Sequence, residues 1–192
     1  MSLFVQFFGP GVAACVAERT LSSTHLFMPL LETGAYGLPK AFGGVVAINL
    51  VMSTFTMISL GMRVGKARKE LAEKAKKDGD ENADDRFGLP KMYAEGFSEL
   101  AKKFNCVQRG HQQALETYGS FLALSVAGGL AFPITTMASG LLWIYARGKW
   151  ADGYATGDPS KRYQSAGRHV WTALGNLMMA SLGTALVIAG VL

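Results

Sequence analysis

Four long apolar stretches dominate the pattern of hydrophobic and polar positions after the first 40 residues. They cover residues 41 to 62, 112 to 131, 134 to 151 and 168 to 192. A helix rises about 1.5 Å per residue, so a stretch of about 20 residues spans the hydrocarbon layer of a bilayer. Only Phe132 and Pro133 separate the second stretch from the third, which predicts an antiparallel helical hairpin. The pattern therefore predicts an all-α integral membrane bundle of four helices.

Charge placement distinguishes this prediction from a soluble helical bundle, since 192 residues could also bury a soluble core. Residues 63 to 103 carry eleven of the 19 Lys and Arg, and residues 147 to 168 carry five more. In a four-span topology these two loops lie on the same side of the membrane. Basic loops are typically cytosolic, so both termini are expected on the opposite side. The net charge of +5 is then explained by basic loops that set the membrane orientation and contact anionic headgroups, and it does not indicate nucleic-acid binding.

The chain divides into an N-terminal extension, residues 1 to 39, and a four-helix domain, residues 40 to 192. The extension is apolar from Leu3 to Ala17 but is interrupted by Gly9-Pro10-Gly11 and lacks a basic start. A signal peptide is therefore one interpretation, and an interfacial or partner-binding segment is the favoured one. The cytosolic loop of residues 63 to 103 is expected to extend the first span as a helix and then form a solvated turn.

The cysteines and histidines indicate no metal chemistry. Cys15 and Cys106 are far apart, and the three histidines are scattered. Metal sites and disulfide frameworks require ligands at characteristic spacings, which this chain does not have. The sequence predicts no metal.

Candidate chemistry begins where the second span starts. Arg109, Gln113 and Glu116 stand at i, i+4 and i+7, so they share one helix face. An arginine and a carboxylate at the end of a membrane helix are costly unless they pair or face something polar. Polar groups in such positions usually serve a function.

A second polar face follows on the third span. Trp143, Arg147, Trp150 and Tyr154 are separated by four, three and four residues and line one side of a helix. These residues could simply be interfacial aromatic anchors with a snorkelling cation. The alternative is that they complete a polar site with the first face.

The predicted topology collects many of these groups at the cytosolic side. The set comprises Arg68, Lys69, Arg109, His111, Gln113, Glu116, Arg147, Tyr154, Lys161 and Arg162. Arginines pair well with carboxylates, and a glutamate can accept an ammonium. A cation beside a thiol lowers the pKa of the thiol and favours the thiolate. Glutathione fits this inventory, and another amphipathic anion would also satisfy it.

Three motifs resemble those of a known family. They are Phe104-Asn105-Cys106-Val107-Gln108-Arg109-Gly110-His111-Gln112-Gln113-Ala114-Leu115-Glu116-Thr117-Tyr118, Gly153-Tyr154-Ala155-Thr156-Gly157-Asp158-Pro159-Ser160-Lys161-Arg162 and Gly65-Lys66-Ala67-Arg68-Lys69. This chain resembles the MAPEG family, membrane-associated proteins in eicosanoid and glutathione metabolism, over about residues 41 to 192. The resemblance implies a homotrimer that binds glutathione between neighbouring subunits near the cytosolic face. It favours the endoplasmic reticulum, with mitochondrial or plastid membranes as alternatives.

The resemblance also assigns roles to individual residues. Lys161, with Arg162 beside it, stands where the family has a thiol-activating arginine, so these two are the candidate catalytic residues. The implied glutathione-binding residues are Arg68, Lys69, Arg109, His111, Gln113, Glu116, Trp150 and Tyr154, and Arg147 is added to them for its position on the second polar face. At three of these positions the chain departs from the family, because His111 stands where relatives commonly have a glutamine, Gln113 where they have an asparagine and Trp150 where they have a tyrosine. Thr117 replaces a further tyrosine.

Two hypotheses follow for function. The first is a membrane-bound glutathione transferase, with glutathione-dependent peroxidase activity as a related reaction. Its second substrate would be a lipophilic electrophile or a lipid hydroperoxide that arrives from the membrane lipids. The second is a non-catalytic structural or lipid-binding subunit of a larger membrane complex, which residues 1 to 39 would contact.

Overall fold

The structure, a computed structural model, describes residues 3–22 and 28–192 and is about 79% helical. Within these residues no strand occurs, so the all-α prediction is confirmed. Eight α-helices follow one another along the described chain. They are α1 (Leu3–Leu21), α2 (Met28–Leu31), α3 (Phe42–Val45), α4 (Ser53–Lys77), α5 (Ala83–Phe87), α6 (Glu99–Gly129), α7 (Pro133–Ala155) and α8 (His169–Ile188).

Two of the described helices are long and apolar enough to cross a membrane. One is the continuous helix Phe42–Lys77, in which a π-helical segment (Val46–Met52) joins α3 to α4, and the other is α8. Helix α6 begins well before the predicted span of residues 112 to 131, because the amphipathic sequence upstream of that span is also helical. Membrane crossing by α6 and α7 stays a prediction.

The chain forms two compact units. Among the described residues, the first contains residues 3–22, 28–54, 117–145 and 169–192, and the second contains residues 55–116 and 146–168. In the first unit, the end of α6 and the start of α7 form the predicted hairpin. The rings of Phe121 and Trp143 stack across it with 4.2 Å between their centroids.

Helix α1 packs along α8 in the first unit. A Cβ atom on Gly11 would lie 2.7 Å from the Cα atom of Asn176, and a Cβ on Gly175 would lie 2.5 Å from the carbonyl oxygen of Phe7. Glycine at these positions therefore permits the two backbones to approach closely, as in many membrane helix pairs. The Gly9-Pro10-Gly11 interruption in the sequence does not end the helix, which continues to Leu21.

The interior of the first unit contains a network of neutral polar groups. Asn49, on the π-helical segment, donates to Ser125 Oγ at 2.9 Å and to the Thr136 carbonyl oxygen at 3.0 Å. All three residues are fully buried. Gly140 provides the space, because a Cβ there would lie 2.1 Å from Asn49 Oδ1. Such groups must find partners inside the protein because lipid offers none.

Glu18 connects α1 to the start of α7. Its two carboxylate oxygens accept hydrogen bonds from the backbone N–H groups of Ile134, at 2.9 Å, and Thr135, at 2.7 Å. The first N–H groups of a helix have no partner within it, and the helix dipole favours a negative charge there. Glu18 is buried because it satisfies those donors.

The second unit has its own apolar core. Val64, Leu71, Phe87 and Phe104 are its largest buried members. Arg68 lies over the ring of Phe104, 4.6 Å from the ring centroid. This core holds the segment between α5 and α6 against α4 and α6, so residues 83 to 98 are more than a solvated turn.

Candidate functional site

Arg109 and Glu116 form a two-point ion pair on α6. The Nη1–Oε1 distance is 2.5 Å and the Nη2–Oε2 distance is 3.2 Å. About two turns of helix separate the residues, so the long arginine side chain reaches along the face to the carboxylate. The two side chains remain 40% and 46% exposed. The pair is therefore open to exchange with a charged ligand.

Arg147 and Gln113 form the buried part of the predicted set. The Arg147 guanidinium, which is fully buried, donates to the Gln113 side-chain oxygen. Gln113 is itself buried, and the Arg147 guanidinium lies 6.0 Å from the centroid of the Trp150 ring. The structure thus joins the two polar faces that the sequence placed on different helices.

Helices α6 and α7 approach each other closely beside these pairs. A Cβ on Gly110 would lie 3.4 Å from Tyr154 Cβ and 3.5 Å from Ala151 Cα. Arg63 of α4 also contacts α7, through an ion pair with Asp152 at 2.8 Å. Close packing at Gly110 places Tyr154 next to the helix face that carries Arg109.

The turn after α7 folds back onto the end of that helix. Arg162 donates to the Pro159 carbonyl oxygen at 2.5 Å and lies over the Tyr163 ring, 4.4 Å from its centroid. It is also 5.8 Å from the centroid of Trp150, which is 2% exposed. Lys161 is half-buried on the same turn. Arg162 and Trp150 therefore contact each other in a tight cluster of cation and rings.

A cleft of about 480 Å³ opens in the second unit. Arg109 and Tyr154 are the two predicted site residues in its lining, and Lys102, Cys106 and Tyr93 lie beside them. The described lining contains two cationic side chains and no carboxylate. A cleft of this volume is typical of small-molecule sites.

The remaining predicted residues lie elsewhere in the second unit. Arg68 donates to the carbonyl oxygens of Phe87 at 2.5 Å and Lys91 at 2.9 Å, so it holds the segment after α5 in place. Lys69 is exposed on α4. His111 is half-buried, and its ring lies near Gly61 of α4.

Three residues with no role predicted from the sequence also contribute to the cleft: Tyr93 and Lys102, upstream of the motif, and Asn105, near its start. Asn105 accepts from the Ala94 N–H at 2.8 Å and donates to the Ala94 carbonyl oxygen at 2.9 Å, which positions Tyr93 at the cleft. Lys102, Asn105 and Arg109 are separated by three and four residues. That spacing on the helix was the available signal, although nothing in the sequence showed that Tyr93 would face them.

The thiol of Cys106 lies in the same cleft but is mostly covered. Burial raises the pKa of this thiol, and nearby Lys102 offsets only part of that effect. The thiol is consequently protonated at neutral pH and is a weak nucleophile.

Comparison with known proteins agrees with the site and with the helical architecture. The MAPEG family model matches residues 46–188, well over half of the chain. This range includes all eleven predicted site residues, the α6 motif and the turn after α7. No solved structure matches the chain. The chain belongs to the MAPEG family, whose members are membrane-bound helical bundles.

Proposed function

We propose that this protein is a membrane-bound glutathione transferase that also reduces lipid hydroperoxides. Family membership supports a membrane glutathione transferase or a related activity, and family members use glutathione. The observation that carries the proposal is the two-point Arg109–Glu116 pair, with Arg109 lining a cleft that also contains Tyr154. The motifs that surround these residues resemble those of microsomal glutathione S-transferase 3.

The side chains of the site fit the charges of glutathione. The tripeptide carries two carboxylates and one ammonium, and the site offers arginines with a single carboxylate beside them. A ligand carboxylate would replace Glu116 on the Arg109 fork, and Glu116 would then accept the ligand ammonium. Both side chains are partly exposed, so the original pair is weak and its exchange costs little.

The chemistry requires a cation near the glutathione thiol. Lys161, or Arg162 beside it, would stabilise the thiolate. The thiolate then forms a carbon–sulfur bond with a lipophilic electrophile, and the leaving group departs with the electron pair of the broken bond. With a lipid hydroperoxide, the thiolate attacks the terminal oxygen and the O–O bond breaks. The lipid oxygen takes up a proton and leaves as an alcohol, and the glutathione sulfur becomes a sulfenic acid. A second glutathione then displaces water and yields glutathione disulfide, so two thiols are oxidised for each peroxide reduced.

Binding of reduced glutathione to purified protein in detergent is the direct test. We expect saturable binding in isothermal titration calorimetry. Arg109→Ala should lose this binding, because it removes the guanidinium that would bind a carboxylate of the ligand. The matched control is Arg168→Ala, which removes an exposed arginine that is not among the predicted site residues. Absence of binding by correctly assembled wild-type protein would contradict the proposal.

The pKa of the bound glutathione thiol distinguishes residues that activate the thiol from residues that only bind glutathione. Ultraviolet titration of the bound thiol should show a higher pKa in Lys161→Gln than in the wild type, with turnover of a lipophilic electrophile reduced in parallel. Cys106→Ser serves as the control, since a protonated protein thiol should contribute little to turnover. An unchanged thiol pKa in Lys161→Gln and in Arg162→Gln would exclude both residues as activators.

Assembly and location belong to the same proposal. We expect a homotrimer in the endoplasmic reticulum membrane, with the basic loops in the cytosol and mitochondrial or plastid membranes as the alternatives. Light scattering of the detergent complex gives the subunit number, and protease protection of sealed vesicles gives the orientation. A monomer would contradict this arrangement. So would basic loops that resist a protease added to the cytosolic side of the vesicles.

A second candidate function is a non-catalytic subunit of a larger membrane complex. One observation favours it: Arg162 and the substituted Trp150 pack against each other, and Trp150 is almost fully buried. The test is co-purification of a larger complex from native membranes. Retention of that complex in Arg109→Ala, together with no glutathione binding by the wild type, would support this function over the enzyme.

A further inference from the structure

An apolar groove of about 210 Å³ lies between α1 and α8 in the first unit. Val12 and Val16 of α1 line one wall, and Leu182 and Leu186 of α8 line the other. Helix α8 is long and apolar enough to cross a membrane, so the groove is expected to face lipid. An acyl chain would fill such a groove, but lipid tails and leucine side chains are equally apolar. The groove alone therefore provides little selectivity among lipids.

A more polar cleft of about 390 Å³ adjoins one end of the groove. Arg19 and Phe132 line both spaces, and Ser22 lines the cleft. Arg19 is exposed, and within residues 3–22 and 28–192 no carboxylate lies within ion-pair distance of its guanidinium. An unpaired cation thus stands where an acyl chain would end.

Glu18 also lines this cleft, but its charge is already engaged. Both of its oxygens accept backbone N–H groups at the start of α7, from Ile134 and Thr135. The positive end of the α7 dipole offsets this carboxylate. Arg19 therefore keeps its attraction for an external anion.

We propose that this groove and cleft bind one anionic phospholipid per chain, with an acyl chain between α1 and α8 and the phosphate on Arg19. The planar guanidinium matches a phosphate with two parallel hydrogen bonds. A phosphodiester with its glycerol is also better matched to a cleft of this size than a fatty-acid carboxylate, which would occupy a small part of it. The site lies outside the predicted glutathione site and does not depend on it.

Native mass spectrometry can test this assignment. The protein is purified from mixed micelles that contain equal amounts of phosphatidylglycerol and phosphatidylcholine of identical chains. We expect the wild type to retain phosphatidylglycerol. Arg19→Gln should retain about tenfold less of it, which corresponds to the loss of a charge-assisted hydrogen-bonded pair of about 1.4 kcal/mol. Lys40→Gln is the control, because Lys40 is exposed and already paired with Glu32 at 2.7 Å.

A second variant tests the acyl groove separately from the head group. Val12→Trp places a bulky ring at a partly exposed position in the groove wall and should also reduce retention. Thermal unfolding must match that of the wild type for either variant to be scored. Equal retention by wild type and Arg19→Gln, or equal retention of both lipids by the wild type, would overturn the proposal. Displacement of the phospholipid by an equal concentration of oleate would overturn the choice of a phosphate head group.

Discussion

The two units of this protein use polar side chains in opposite ways. In the first unit the buried groups are mostly neutral and bond to one another, as Asn49 does with Ser125 and Thr136. In the second unit the groups are charged, and the Arg109–Glu116 pair remains partly exposed beside a cleft. A neutral network that is fully buried mainly orients helices, because burial keeps its members from reaching a ligand at the surface. Partly exposed charges beside open space are suited to ligand exchange.

Arg147 combines features of both units, because it is charged like the groups of the second unit and fully buried like those of the first. We expect Gln113→Leu to lower the free energy of unfolding by about 3 kcal/mol, since the buried guanidinium loses a hydrogen-bond acceptor. Gln112→Leu is the control, because Gln112 contacts Tyr93 in a more exposed position. Denaturant unfolding in detergent gives both values. Equal losses in the two variants would show that Arg147 does not depend on Gln113.

The neutral network can be tested with a double-mutant cycle. Gly140→Ala should cost about 2 kcal/mol of stability, because its new methyl group overlaps the Asn49 amide. In an Asn49→Ala background that amide is gone, and the same glycine change should cost less than about 0.5 kcal/mol. Unfolding of the four proteins gives the coupling energy. Strict additivity would mean that Gly140 does not serve to accommodate Asn49.

Glu18 is charged, unlike the other buried polar residues described in the first unit, and it caps the start of α7. Glu18→Ala should reduce stability by about 1 kcal/mol, as for the loss of other helix N-terminal caps. Glu32→Ala removes an exposed ion pair with Lys40 and should have a smaller effect. Thermal unfolding compares the two variants. A larger loss for Glu32→Ala would contradict the capping role.

The smallest stability effect among these variants is expected at Glu116, which is proposed to bind the ligand. Glu116→Gln should change stability by less than about 1 kcal/mol, because the Arg109 pair is partly exposed. Glutathione affinity should fall about tenfold or more, because the ligand ammonium loses its carboxylate. Glu70→Gln, which loses an exposed helix pair with Lys66, is the control in both assays. Loss of stability without loss of affinity would place Glu116 with the structural residues.

Much of the candidate site was predictable because it lies on single helices. The spacing of Arg109, Gln113 and Glu116 places them on one face in any α-helix, and the structure has that helix. The cleft around Arg109 was not predictable in the same way. Tyr93 reaches it from a segment without regular secondary structure, through the contacts of Asn105 with Ala94. Periodicity contains no information about such contacts.

The sequence alone determined the family and the all-α architecture, because these depend on composition, helical spacing and local motifs. Only the tertiary structure decided which groups meet. It directed Arg68 to the carbonyl oxygens after α5, paired Arg147 with Gln113 and placed Glu18 at the start of α7. Each of these contacts joins residues from different helices or segments. Their partners are set by the close approach of backbones, which depends on packing in three dimensions.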